Sequence, residues 1–293
     1  MTAKGLHILR TGCKINLFLR VGPKLPTGMH EIHSLFLPLD EPGDRLEVRP
    51  RTKGLKVCFR SENGSKPGDI DPDHNTLTRA WQYFADSCGF APGLDIVVYK
   101  QVPQGAGLGG GSANAAALLL FLHGLAKEKN LNLPSDEHFR RDSAAVGADV
   151  PFFLLKRPAL ARGVGEILTS CPNPFAGKHL LLVCPNIAVS TGAAFAKLDA
   201  WRENGLAPMP APFDEKTRPQ VFVNDFEKPV FDLHPELAQL HTELEASGAV
   251  LVRMSGTGAS LFAIYTDEII AKHMGIALAS RALRVYMQHL PRQ

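Results

Sequence analysis

The sequence predicts an α+β protein in two parts. Short alternating strand patterns fill residues 13–60 and then give way to helical spacing. After about residue 160 the rhythm changes, and strands and helices alternate around an antiparallel pair, as in a two-layer α+β sandwich. A chain of 293 residues has room for one large domain or two ordinary ones, at about 100–200 residues per domain. The expected division is 1–160 and 161–293.

Each element follows from its pattern. CKINLFLRV (13–21) alternates, so Ile15, Leu17, Leu19 and Val21 share one strand face, and Lys14 and Asn16 point together from the other. HSLFLPL (33–39), RLEVR (45–49) and LKVCFR (55–60) read as further strands, the last followed by a polar loop up to Asn75. TLTRAWQYFADSC (76–88) has helical spacing and a stop signal in Gly89. LDIVVY (94–99) is a strand, 112–129 a long buried helix, and 136–146 a shorter helix ended by Gly147. In the second part HLLLVCP (179–185) is a buried strand. Pro208, Pro210, Pro212 and Pro219 make 203–220 a surface loop. A helix over 236–246 stops at Gly248, AVLVRMSGTGASLFAIY reads strand, glycine loop, strand, and a helix over 267–281 precedes a last strand, LRVYMQ.

Composition excludes several classes. Hydrophobic residues make up 45% and charged residues 21%, an ordinary globular mix. The net charge is +3, and no Lys/Arg patch suits nucleic acid, so no nucleic-acid partner is expected. Five cysteines, with no Cys-x-x-Cys pair, predict reduced and mostly buried thiols and no structural zinc. The first residues lack a signal-peptide pattern, and the longest apolar run, 115–122, is far short of a membrane span. The expectation is a cytoplasmic protein with no membrane partner.

The chemistry is concentrated in VPQGAGLGGGSANAAALLLFL (102–122), with five glycines between Gly105 and Gly111. Gly105, Gly107 and Gly110 satisfy G-x-G-x-x-G, but Lys100–Gln104 separate the strand from the first glycine, and no acidic strand end follows near residue 130. A P-loop fails because no lysine follows the last glycine. A tight turn needs one or two glycines, not five. The remaining reading is an anion nest: glycines let successive amides turn inward, and a helix starting near Ser112 adds its unpaired N–H groups and positive end. Ser112 can cap that helix or offer its hydroxyl to a ligand.

PQGAGLGGGSANAA resembles the phosphate-binding motif of the GHMP kinases. CKINLFL is similar to that family's N-terminal substrate strand, and MSGTGASLFAIY to its third motif. The resemblance spans nearly the whole chain. It implies a two-domain α+β fold: an N-terminal ribosomal-protein-like α/β domain that binds ATP (1–160) and a C-terminal ferredoxin-like α/β sandwich (161–293). It implies ATP and Mg²⁺ as cofactors. Pro103, Gly105, Gly107, Leu108, Gly109, Gly110, Gly111, Ser112 and Ala113 are then the ATP-binding run, with Asn75 and Lys100 on the nucleotide side and Ser112 a magnesium ligand. Lys100 equally reads as a solvated strand end. The third motif, Ser255–Gly258, is expected to pack its glycines against the first.

KINLFL, TGMHEIHSLF, DHNTLTRA, GADVPFFL and ARGVGE resemble the branch of the family that acts on a cytidine diphosphate polyol. By pattern alone Asp149 is either a turn former or a base; the resemblance implies the catalytic base. Lys14 alone reads as a solvated edge-strand lysine; the resemblance implies a catalytic cation that keeps Asp149 ionised or steadies the alkoxide. Asn16, Met29, His30, Thr191 and Phe195 are implied at the substrate. Met29 departs from the branch, which has tyrosine there, so base stacking falls to Phe195. The competing classes are another GHMP kinase, a relative that holds nucleotide without turnover, and an NAD-dependent oxidoreductase.

Overall fold

The computed structural model describes residues 5–61, 70–208 and 222–291. In chain order its elements are β1 (His7–Arg10), β2 (Cys13–Lys24), β3 (His30–Leu39), β4 (Arg45–Pro50), β5 (Leu55–Ser61), α1 (Thr76–Cys88), β6 (Leu94–Lys100), α2 (Gly110–Glu128), α3 (Asp136–Asp142) and α4 (Val150–Leu155). There follow β7 (Ala159–Arg162), β8 (Ile167–Ser170), β9 (His179–Cys184), α5 (Thr191–Glu203), α6 (Glu227–Leu233), α7 (Pro235–Ala246), β10 (Leu251–Met254), β11 (Leu261–Tyr265), α8 (Glu268–Ala279) and β12 (Arg284–His289). Most of the polar loop expected before Asn75 (62–69) and of the proline-rich loop (209–220) lies outside the described residues.

The chain forms two compact units, but they are not its two halves. One takes residues 1–13, 42–102 and 109–156; the other takes 14–41, 103–108 and 157–293. The boundary expected at 160 is close to the last crossing, after 156. It misses that the 14–41 strands and the 103–108 loop pack with the C-terminal part, because sequence periodicity marks elements and not their partners.

The first unit is a four-stranded sheet in the order β1-β4-β6-β5, antiparallel except for the β5–β6 pair, which α1 connects in parallel. Its core joins Leu46, Val48, Ile96 and Val98 of the sheet to Leu77 and Phe84 of α1 and Leu118, Leu119 and Leu122 of α2. Asn75 caps α1, its Oδ1 accepting from the Leu77 and Thr78 amides, and Gly89 closes that helix at φ 62°. α2 starts two residues before its expected first residue, at Gly110. Its cap is Gly109, at φ 71°, with no side-chain hydrogen bond. Ser112 is therefore inside the first turn and does not cap, contrary to that reading. α3 ends at Asp142, earlier than expected, and the chain tightens into a 3₁₀ turn over Ser143–Ala145.

The second unit holds two sheets. β2-β3-β7-β8 is one. The other, ordered β10-β11-β9-β12 and antiparallel throughout, is the βαββαβ arrangement expected of the C-terminal part. Its core includes Leu181, Val183, Phe226, Leu237, Leu244 and Leu261. Every residue of β2 from Cys13 to Leu19 is buried, so the lysine face is no more solvated than the apolar one. All five cysteines are free; Cys13 and Cys184 are buried and the others half-buried, fewer buried than expected. Among the described residues no helix is long and apolar enough to cross a membrane.

Candidate active site

The glycine run is divided between the units. Pro103–Leu108 belongs to the second and is held there by the third motif. Gly105 and Gly107 have φ of 62° and 73°. The Gly105 carbonyl accepts from the amides of Val189 (3.2 Å) and Ala259 (3.1 Å), the Ala106 carbonyl from Ser260 (3.2 Å), and the Gly107 carbonyl from the Ser255 hydroxyl (2.9 Å). A Cβ on Gly107 would lie 1.9 Å from the Ser255 carbonyl oxygen, so backbone meets backbone and only glycine fits. The Ser255–Gly258 turn thus packs against the first loop. With its carbonyls bonded into the protein, the loop has its amides as the groups left to serve an anion. Leu108 is buried, and its carbonyl accepts from the Lys14 amide (2.9 Å).

Gly109–Ala113 belongs to the first unit. The first turn of an uncapped helix leaves its leading amides without intrahelical partners, and here those are Gly110, Gly111 and Ser112. Gly110 is buried against Val102, 2.7 Å from a built Cβ to that side chain; Ala113 is buried too. Gly111 is exposed, and its carbonyl accepts from the Thr76 hydroxyl (2.9 Å). The Ser112 hydroxyl lies 3.6 Å from a Cβ built on Gly147, which sets it over the Gly147–Asp149 turn. Asp149 is half-buried at the start of α4 and its side chain does not cap that helix. The structure therefore brings Ser112 and the Asp149 turn together. It commits Asn75 and Lys100 to other partners: the Asn75 amide group caps α1 and donates to the Asp71 and Pro72 carbonyls, and the Lys100 ammonium pairs with the Asp44 carboxylate.

Lys14 and Asn16 share a face of β2, as the alternation predicts, but they are buried at 5% and 2% exposure. The solvated-lysine alternative fails on that count. The Lys14 ammonium donates to Asn16 Oδ1 (2.5 Å) and lies 5.1 Å from the centre of the Phe36 ring. Asn16 Nδ2 donates to Ser34 Oγ (2.8 Å). A buried ammonium beside an amide and a ring is a group that can serve a polar ligand or a developing negative charge.

Elsewhere in the second unit the His30 ring stacks on Phe195, centres 4.8 Å apart and 27° between planes. Its Nε2 lies 2.9 Å from Asp199 Oδ1. Thr191 opens α5, and its hydroxyl lies 3.2 Å from that of Thr257 in the third motif. Met29 is 52% exposed. His30, Phe195 and Thr191 thus belong to one region, linked through α5. Sequence reasoning missed Asp199, Asp44 and Asn114. Asp199 lies at helical spacing from Phe195 (i, i+4), a signal that exists but is faint.

These parts define a class. Residues 75–157 match the GHMP kinases N terminal domain and residues 215–278 the GHMP kinases C terminal. The chain belongs to the GHMP kinase family, whose members take phosphate from ATP. Within that family, a 4-diphosphocytidyl-2-C-methyl-D-erythritol kinase of Nitratidesulfovibrio vulgaris (strain DP4) is 42% identical over 290 residues, covering 96% of this chain and 98% of its own. A crystal structure of a 4-(cytidine 5'-diphospho)-2C-methyl-D-erythritol kinase is similar at a TM-score of 0.69 and 29% identity, covering 96% of this chain and 98% of that one. A homoserine kinase from Cytophaga hutchinsonii shares the fold, with a TM-score of 0.68 at 18% identity over 100% of this chain and 97% of its own.

Proposed function

We propose that this chain transfers the γ-phosphoryl group of ATP to the 2-hydroxyl of 4-diphosphocytidyl-2-C-methyl-D-erythritol, in the non-mevalonate route to isoprenoids, and that it acts in the cytoplasm without nucleic-acid or membrane partners. One observation carries the phosphate side: a run of left-handed glycines whose carbonyls are tied down leads into a helix with no side-chain cap. The acceptor is supported by relatives that bear that enzyme's name across nearly the full chain.

Phosphoryl transfer asks for positioning and charge neutralisation more than covalent chemistry. The amides from Gly105 to Ser112 hold the β- and γ-phosphates. Asp149 takes the proton from the acceptor hydroxyl, and the buried Lys14 ammonium stabilises the oxygen as charge develops. Asn16 orients the polyol. His30 and Phe195 receive the cytosine, Thr191 lies at their edge, and Met29 adds a soft thioether contact in place of a second ring.

Magnesium is tested by the donors present. Among the described residues no three His, Cys, Asp or Glu side chains gather as a metal site. Mg²⁺ at a nucleotide keeps several waters and takes one or two protein oxygens besides the phosphates, and the Ser112 hydroxyl over the Asp149 turn fits that modest demand. Bound there, the ion would neutralise phosphate charge.

A coupled ADP-release assay against a panel of alcohols tests the whole reading. The diphosphocytidyl alcohol should turn over, and homoserine and mevalonate should not. Turnover of another alcohol in its place, or ATP held without consumption, would overturn it.

A further inference from the structure

The glycine run needs fixed ends, and a group outside every motif supplies them. Asp44 precedes β4, and its carboxylate is completely buried. Oδ1 accepts from the amides of Gln101 (2.8 Å) and Val102 (3.0 Å), the last residues before the run. Oδ2 accepts from Asn114 Nδ2 (2.8 Å), in the helix that follows the run, and from the Lys100 ammonium. The Asp44 amide donates to the Thr11 hydroxyl (3.0 Å), which lies 3.3 Å from Asn114 Oδ1. One carboxylate thus pins both the entry to the glycine segment and the helix leaving it, and a built Cβ on Gly110 shows how closely that helix sits on Val102.

We propose that Asp44 is a positioning residue for the nucleotide: through Gln101, Val102 and Asn114 it sets the spacing between the entering strand and the first turn of α2, and so the aim of the amides between them. Lys100 serves as its counter-charge. A buried charge keeps its place only when paired and fully hydrogen-bonded, and four donors meet that requirement here. The inference rests on the glycine run being the triphosphate cradle.

Asp44→Asn keeps an oxygen for the two loop amides and turns the other acceptor into a donor facing Lys100 and Asn114. It should raise KM for ATP about tenfold or more while KM for the diphosphocytidyl alcohol stays within about twofold. Asn114→Ala, which spares the charge pair, carries the same test if Asp44→Asn does not fold, with an expected rise of about threefold to tenfold in KM for ATP alone. A purely structural role would lower the active fraction and the melting temperature and leave KM for ATP unchanged. Hydrogen exchange with a non-hydrolysable ATP analogue separates the two claims. Protection of residues 105–112 in the wild type, with an unaltered KM for ATP in the variants, overturns the role of Asp44 and leaves the cradle standing; no protection there overturns both.

Discussion

Asp149 and Met29 are the residues on which the proposed chemistry is most easily tested. The Asp149 carboxylate stands at the start of α4 and makes no capping hydrogen bond to that helix. Asp149→Asn should slow turnover about 10²–10⁴-fold, the range for a lost general base, while equilibrium titration with an ATP analogue shows binding nearly intact. Near-normal turnover would remove it from the mechanism. Met29 lies half-exposed beside His30, which itself stacks on Phe195. Met29→Tyr puts a ring next to His30 in the chain and should tighten the cytidine substrate, read by calorimetry; unchanged or weaker binding would mean the single ring suffices. What was legible at this scale was local. Lys14 with Asn16, and the glycines with Ser112, are neighbours in sequence. Asp199 and Asp44 act on His30 and Asn114 across 169 and 70 residues, so each looked like an ordinary polar residue.

The elements divide by how they declare themselves. α1 and α2 were legible because each carries a long apolar pattern and α1 a clear stop. α4 was not: it has six residues and Pro151 in its first turn, allowed there because the missing amide would be unpaired anyway. α5 hides behind alanines, and β7 and β8 have four residues each. The α1 cap offers a test at this scale. Asn75→Ala should cost about 1 kcal/mol in urea denaturation. Because Thr76 in the same turn donates to the Gly111 carbonyl, KM for ATP should rise about threefold as that turn frays. A stable variant with greatly weakened ATP binding would instead make Asn75 a direct nucleotide contact.

At the scale of the whole molecule, stability should depend on pH through Glu227. Burial raises its carboxyl from 4.5 to about 7, against the opposing hydrogen bond from the Met254 amide. The folded state therefore holds a proton that the unfolded state has released, so stability falls as pH rises from 4.5 through about 7 and then levels. Burial of His241 lowers its pKa and works the other way, against the folded state as pH drops below 6.5. Glu227→Gln keeps an acceptor for Met254 and removes the carboxylate's penalty. It should stabilise the protein by roughly 3 kcal/mol at about pH 8, at 1.36 kcal/mol per pKa unit, and flatten the decline towards neutrality in denaturation curves. The interleaved units predict a second outcome: in a fragment of residues 1–160 the 14–41 strands should stay unordered, because β2 and β3 belong to a sheet completed by β7 and β8. Sharp, dispersed amide resonances from residues 14–41 of that fragment would contradict it. The same pairing governs synthesis. Ser34 of β3 waits for Ala161 of β7, and at about 5–20 residues per second the ribosome delivers that partner roughly 6–25 s later. During that interval β3 has its β2 neighbour but an open edge on the other side of the nascent chain.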